Sequence, residues 1–136
     1  IYPDKIKVSI IESEPIAFYE NEYGKKYYLL ENNKIVEEKN YNINNLPKVF
    51  GKNGIDKFLN FYKSIKTTNL KLSLIKEFVY HDIGRWDILF NNKKILKLPP
   101  ENFENSIVKF LQIYEKDNFK YFTVFDFRIK NELILK

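Results

Sequence analysis

Two arginines stand apart in a chain whose other basic residues are lysines. Among 23 Lys and Arg residues, arginine occurs only as Arg85 and Arg128. A guanidinium is a planar fork that binds a carboxylate through two hydrogen bonds, which a lysine ammonium cannot do. Asp126 lies two residues before Arg128, and in a strand the two side chains share one face. The pattern indicates either a structural ion pair on a half-exposed sheet or an arginine that holds a partner's carboxylate.

Residues that commonly carry catalysis or bind metals are sparse. His81 is the one histidine, and although Asp82 is its neighbour, no second histidine, nucleophilic elbow or carboxylate cluster accompanies it. The chain has no cysteine, which excludes a thiolate nucleophile, a disulfide and a Cys-based metal site. The stretch 51–54, GKNG, lacks the GK[ST] ending of a phosphate loop. We therefore expect no catalytic residue, no cofactor and no metal; a hydrolase using His81 is a distant alternative.

The charge of the chain leaves a second alternative open. Its net charge is +5, which permits attraction to nucleic acid or to an anionic surface. The lysines are scattered, however, and no run exceeds a pair such as Lys25–Lys26 or Lys93–Lys94. A solvated lysine surface is the favoured interpretation, and a basic nucleic-acid or anionic-surface binding domain is the alternative.

Periodicity predicts the elements that position these residues. A chain of 136 residues that is 44% hydrophobic suits one compact domain with a substantial core. Alternating or β-branched segments predict strands, with a turn at Asn91–Asn92, a second turn at Lys130–Asn131 and a long surface loop over 32–45. The predicted strands are 5–12, 16–20, 26–31, 72–82, 85–90, 93–98, 121–130 and 132–136. In the strand 121–130, Phe125, Phe127 and Ile129 are expected to face the core.

Two segments have apolar residues at helical spacing. The first, 53–66, starts with Asn53 as the N-cap and has Asp56 in its first turn, where the helix dipole favours an anion. The second is 102–116. The apolar stripes are Ile55, Phe58, Leu59, Tyr62 and Ile65 in the first, and Phe103, Ile107, Phe110, Leu111 and Tyr114 in the second. Helices between hairpin-linked strands predict an α+β domain, with a mostly antiparallel, curved β-sheet packed against two amphipathic helices.

Four motifs follow one another along the chain: YPDKIKVSIIESEPIAFYE (2–20), LPKVFGKNG (46–54), GRWDILFNNKKILKLP (84–99) and FTVFDFR (122–128). In this order they resemble the extracytoplasmic part of the FtsQ/DivIB family of bacterial cell-division proteins. The tight turn lacks the family's usual glycine, and Phe127 stands where leucine is common.

The resemblance implies a non-enzymatic scaffold of the divisome, the assembly that builds the division septum. Such proteins have a short cytoplasmic tail, a single transmembrane helix, a POTRA domain and a β domain outside the cytoplasm. The chain begins in mid-pattern, so we expect a fragment of a longer protein anchored in the inner membrane, with this part periplasmic. On this interpretation residues 1–15 hold the last POTRA strand and the junction, and residues 16–136 are the β domain.

The resemblance also implies the partners and the residues that bind them. In the family, a C-terminal edge strand receives FtsB and FtsL by strand addition, and arginines near that edge hold a partner carboxylate. Matched by motif, Arg128 is the arginine of the D-L-R pattern and Arg85 is the nearest match to the second one. The predicted partner-binding edge consists of Ile129, Lys130, Asn131, Glu132, Leu133, Ile134 and Leu135.

Overall fold

A computed structural model describes residues 13–37 and 45–136 of the protein. The strands are β1 (Pro15–Glu20), β2 (Lys26–Leu30), β3 (Ile35–Glu37), β4 (Lys48–Phe50), β5 (Ile75–His81), β6 (Arg85–Phe90), β7 (Ile95–Lys97), β8 (Val124–Asp126) and β9 (Ile134–Leu135). The α-helices are α1 (Gly54–Ile65) and α2 (Phe103–Ile113). None of the helices within these ranges is long and apolar enough to cross a membrane.

The described strands form one mixed sheet in the order β3-β2-β1-β4-β5-β6-β7-β8-β9. The predicted mostly antiparallel sheet is wrong, because β1–β4, β4–β5 and β7–β8 are parallel pairs. Two of these pairs follow from the position of the helices, because α1 connects β4 to β5 and α2 connects β7 to β8. A crossover helix carries the chain back to the end of the sheet at which the first strand began, so the next strand runs in the same direction. The α+β class and the two helices agree with the sequence prediction.

Helix α1 covers one face of the central strands through an aromatic cluster. Phe58 and Phe61 contact Phe78 of β5 at ring-centroid distances of 5.0 and 5.9 Å. Phe61 also stacks on Trp86 of β6 at 4.7 Å. These four side chains are at most 5% exposed, and burial of each stabilises the fold by roughly 1.5–3 kcal/mol. The predicted apolar stripe of this helix therefore packs on the core, and Phe61, which the prediction leaves out of the stripe, is buried with it.

Helix α2 packs against the same face, nearer to β8. Phe110 stacks on Phe90 at 5.0 Å and meets Phe125 edge-on at 4.9 Å. The two helices contact each other where Phe61 meets Phe103 at 5.1 Å. The predicted burial is confirmed: Phe58 and Phe110 are fully buried, and Leu59 and Leu111 pack against the core as half-buried side chains.

The start of α1 differs from the simple cap that the sequence suggests. Asn53 is at the N-cap position, but it has a left-handed backbone (φ 65°) and its side chain makes no capping hydrogen bond. Just before it, Gly51 has φ 110°, and a Cβ atom there would lie 2.2 Å from the carbonyl oxygen of Tyr80. Glycine therefore lets the turn between β4 and α1 press directly onto β5.

Several predicted segments have different boundaries in the structure. The surface loop over 32–45 contains strand β3, although residues 38–44 lie outside the described ranges. The strand 72–82 begins with a short 3-10 helix, Leu72–Leu74, and the strand 121–130 is reduced to β8. The predicted strand 5–12 also lies outside the described residues, so the division of the chain at residue 15 stays a prediction.

Candidate functional site

A row of charged residues crosses the sheet on the face that the helices leave open. Asp87 of β6 is paired in register with Lys97 of β7, and Lys97 with Asp126 of β8. The neighbouring row, Ile88, Leu96 and Phe125, is buried beneath the helices, so alternation along the strands turns the charged row away from them. Arg85 and Arg128 stand two residues from the aspartates of this row. The structure thus brings both arginines to one charged band, which consists of Asp87, Lys97 and Asp126 with Arg85 and Arg128 beside them.

Arg128 and Asp126 form the ion pair that their spacing predicts. The Arg128 Nε atom donates to Asp126 Oδ1 and Oδ2 at 2.9 and 3.0 Å, and Nη2 donates to Oδ2 at 2.6 Å. The backbone N–H of Arg128 also donates to Oδ1, at 3.0 Å. Asp126 thus occupies the Nε–Nη2 edge of the guanidinium, whereas Nη1 donates no hydrogen bond to any described residue. Because the Arg128 side chain is 43% exposed, its Nη1–Nη2 edge is available to a second carboxylate.

The ion pair changes how Asp126 titrates. Hydrogen bonds from Arg128 hold the pKa of Asp126 below its usual value. A carboxyl group with a lowered pKa in the folded state adds stability above its unfolded pKa, about 4, and that stability is lost as the pH falls through the folded pKa. Asp126→Asn should therefore cost about 1–3 kcal/mol of unfolding free energy at pH 7. Urea unfolding at several pH values measures the difference.

The difference between the parent and Asp126→Asn should shrink as the pH falls below about 4, because the parent then loses the same charge. Glu132→Gln is the control, since that carboxylate is exposed and lies in the same part of the chain. A difference in stability that is equal at pH 7 and at pH 2 would contradict the assignment.

Arg85 has a different environment. It is 7% exposed, its Nη1 atom forms an ion pair with Asp87, and the same atom lies 3.4 Å from the carbonyl oxygen of Leu98. Asp87 also contacts His81, whose Nε2 is 2.9 Å from Oδ2. Asp126 through its hydrogen bonds, and Asp87 more weakly through its charge, raise the pKa of Arg128. Arg85 is therefore linked to the charged band through its ion pair with Asp87. Its role in holding a partner stays a prediction, and its burial does not support that role.

His81 pairs with Asp87 rather than with its sequence neighbour Asp82. Within the described ranges, no three His, Asp or Glu side chains come together in a way that could hold a metal ion.

Strand β9 ends the described sheet on one side. Val124 and Lys136 exchange two backbone hydrogen bonds, of 3.0 and 3.1 Å. In an antiparallel pair such bonded positions alternate along the strand, so Ile134 also points its N–H towards β8, and Leu135 points its N–H and C=O away. The carbonyl of Leu133 shares a planar peptide with the N–H of Ile134 and points away from β8 as well. These backbone groups are therefore directed to the side of β9 on which the described sheet has no further strand.

The segment between β8 and β9 is a turn rather than a continuous strand. The N–H of Glu132 donates to the carbonyl of Ile129 at 3.1 Å, and Asn131 has φ 65°, so the turn predicted at Lys130–Asn131 is confirmed. Because β8 stops at Asp126, the alternation does not reach Ile129, which is 51% exposed. The prediction that Ile129 faces the core is wrong. Ile134 is 37% exposed, so apolar side chains are accessible along this edge.

A groove of about 610 Å³ separates this segment from the start of α2. Residues 127–133 form one wall, and the prolines 99–100 with the first turns of α2 form the other. The α2 residues Asn105, Ser106 and Lys109 were missed by the sequence reasoning, which followed only the apolar stripe of that helix. Together with Asn102 they are spaced as a polar stripe on one face of the helix. That spacing is the sequence feature that could have indicated this wall of the groove.

Comparison with known protein families finds a family model that covers most of the chain. The family model described as cell division protein FtsQ/DivIB, C-terminal, matches residues 17–128, most of the chain. The chain belongs to the FtsQ/DivIB family. The resemblance seen in the four motifs is confirmed, and family membership gives the chain a role in cell division. The FtsQ/DivIB match ends at Arg128, so β9 lies beyond the matched residues.

A solved structure shares the FtsQ/DivIB fold. It is the major extracytoplasmic domain of the trans isomer of the bacterial cell division protein DivIB from Geobacillus stearothermophilus, with a TM-score of 0.54. The two chains are 16% identical, and the alignment covers 76% of this chain and 92% of that one. At this identity the likeness shows the fold alone. No curated protein matches the sequence.

Proposed function

We propose that this FtsQ/DivIB domain is a non-enzymatic scaffold that recruits the FtsB–FtsL complex to the division septum by accepting a strand at β9. In this proposal the domain lies outside the cytoplasm, on a protein anchored in the inner membrane by one helix that precedes the chain. The observation that carries the proposal is the open edge of β9 beside the exposed fork of Arg128.

The edge has two features that favour strand addition: backbone groups that point outward, and no charged residue or proline at residues 133–135. The outward backbone groups of Leu133 and Leu135 can pair with an incoming strand, which gives affinity with little dependence on sequence. Edge strands usually carry charges or proline that block such pairing, whereas residues 133–135 are all apolar. Specificity then comes from side chains beside the edge.

Arg128 supplies that specificity in the proposal. Asp126 fixes the orientation of the guanidinium, so little side-chain freedom is lost when a partner carboxylate binds the Nη1–Nη2 edge. The charge of Asp87 acts on Arg128, and the buried Arg85 serves to hold Asp87 in place rather than to touch the partner.

Binding of nucleic acid or an anionic surface receives less support. Several lysines are engaged with carboxylates, such as Lys25 with Glu37 at 2.9 Å and Lys66 with Glu31 at 2.6 Å. Pairs of this kind dilute the positive potential that a nucleic-acid interface concentrates along one face.

A comparison of two substitutions at Leu135 tests strand addition. Leu135→Pro removes the outward N–H of β9, whereas Leu135→Ala keeps it and removes most of the side chain. We expect the proline variant to bind a purified FtsB–FtsL complex from the same organism at least tenfold more weakly than the alanine variant does, as measured by isothermal titration calorimetry. Melting curves of both variants control for folding. Equal affinities for the two folded variants would rule out pairing at this edge.

A further inference from the structure

We propose that the groove between α2 and residues 127–133 receives a segment of the partner that continues from the strand added at β9. In this arrangement Lys109 binds a carboxylate of that segment. The inference rests on the proposed function of β9, and it extends the partner interface from the sheet edge onto α2.

The course of the chain makes the groove and the edge continuous. Strands β7 and β8 are parallel, so both finish at the same end of the sheet. Helix α2 begins just beyond β7 at that end, and β9, which is antiparallel to β8, starts there. Leu133 belongs both to the wall of the groove and to the start of the open edge. A partner strand that passes Leu133 therefore leaves the sheet directly into the groove.

The lining of the groove suits a short peptide segment with one apolar side chain. Phe127 and Leu133 provide apolar surface, and Pro99 lies opposite them. Asn105 and Ser106 offer hydrogen-bonding groups from α2. The volume of about 610 Å³ is within the range of roughly 300–1,000 Å³ of pockets that hold small ligands.

The charges around the groove indicate an acidic partner segment. Lys109, Arg128 and Lys130 line the groove, against two carboxylates, Glu101 and Glu132. Lys109 is exposed and forms no ion pair with another described residue, so its ammonium is available to a partner. Arg128 stands at the junction, where one wall of the groove meets the charged band. A chain with a carboxylate on either side of an apolar residue would match this arrangement.

Charge reversal on α2 tests the proposal with a matched control. Lys109→Glu places a negative charge at the groove, and Lys116→Glu makes the same change in net charge at an exposed position outside it. We expect Lys109→Glu to weaken binding of the purified FtsB–FtsL complex by about tenfold or more, and Lys116→Glu to leave it within twofold of the parent. Calorimetry on the 136-residue chain measures both affinities.

A second pair of variants tests occupancy of the groove rather than its charge. Ser106→Trp fills the groove and should also weaken binding, whereas Gln112→Trp, exposed on the same helix and outside the groove, should not. If Lys109→Glu and Ser106→Trp bind as tightly as their controls while Leu135→Pro binds weakly, the groove inference is overturned and the edge function stands. If Leu135→Pro binds as tightly as Leu135→Ala, strand addition itself fails, and the groove inference fails with it.

Discussion

Replacement of Arg128 by alanine is expected to weaken binding of the FtsB–FtsL complex by about 30-fold or more. Loss of one partner from a partly desolvated charge pair costs about 2–5 kcal/mol, and 1.4 kcal/mol corresponds to tenfold in affinity. Arg128 is the side chain in the charged band that both exposes a free guanidinium edge and stands beside β9. Isothermal titration calorimetry or surface plasmon resonance would measure the loss in affinity.

Two controls separate this loss from other effects. Lys116→Ala removes an exposed cation that lies outside both the groove and the predicted partner-binding edge, so it should change binding much less. Arg128→Lys keeps the charge without the fork and should bind between the parent and Arg128→Ala. If Arg128→Ala binds as tightly as the parent, Arg128 does not hold a partner carboxylate.

Folding of the Arg128 variant needs its own check, since Asp126 is 4% exposed and loses its partner. We expect a cost of about 1–3 kcal/mol in stability, below the 5–15 kcal/mol that typically holds a domain together. The double variant Asp126→Asn with Arg128→Ala removes the unpaired charge and should recover part of that stability without recovering binding.

Phe110→Ala is expected to produce the largest loss of stability, about 3–5 kcal/mol. Phe110 is fully buried, and its ring contacts those of Phe90, Tyr114 and Phe125 at 4.9–5.0 Å. Truncation removes a large apolar surface and leaves a cavity between α2 and the sheet, which close-packed neighbours fill only in part. Urea unfolding followed by circular dichroism would report the change.

The control for Phe110→Ala is Val108→Ala, because Val108 lies on the same helix and is 42% exposed. Its truncation should change stability by less than about 1 kcal/mol. An unchanged midpoint for Phe110→Ala would mean that α2 does not pack on the sheet as described.

Helix positions and most of their buried faces were determined by the sequence alone, although the predicted stripe omits the buried Phe61. A stripe at 3.6-residue spacing can be buried on only one side of a helix, so Phe58 and Phe110 had to face a core whatever that core was. The ion pair of Asp126 and Arg128 was equally local, because side chains two residues apart in an extended segment share a face. The family was also readable, since its motifs recur in order along the chain.

The direction of strand pairing was decided by the tertiary structure. Strand β4 is three residues long, too short for its pattern to predict a strand, so the sequence places α1 between hairpins rather than inside a parallel crossover. Likewise the sequence predicts β3 as part of a loop, because its three residues are too few to show a period. Strand β4 pairs with β1 and β5, which are distant in sequence, and a local pattern does not show those neighbours.

The candidate site divides in the same way. Sequence could nominate both arginines, but their burial depends on what the fold places around them: Arg85 is enclosed beside Leu98 and Asp87, and Arg128 stands at an open edge. The groove joins α2 to residues 127–133, segments whose proximity follows from the parallel pairing of β7 and β8. Residue type and spacing therefore determined which chemistry was available. Long-range packing decided which side chains can reach a partner, because the exposure of a side chain depends on its surroundings and not on the residue type alone.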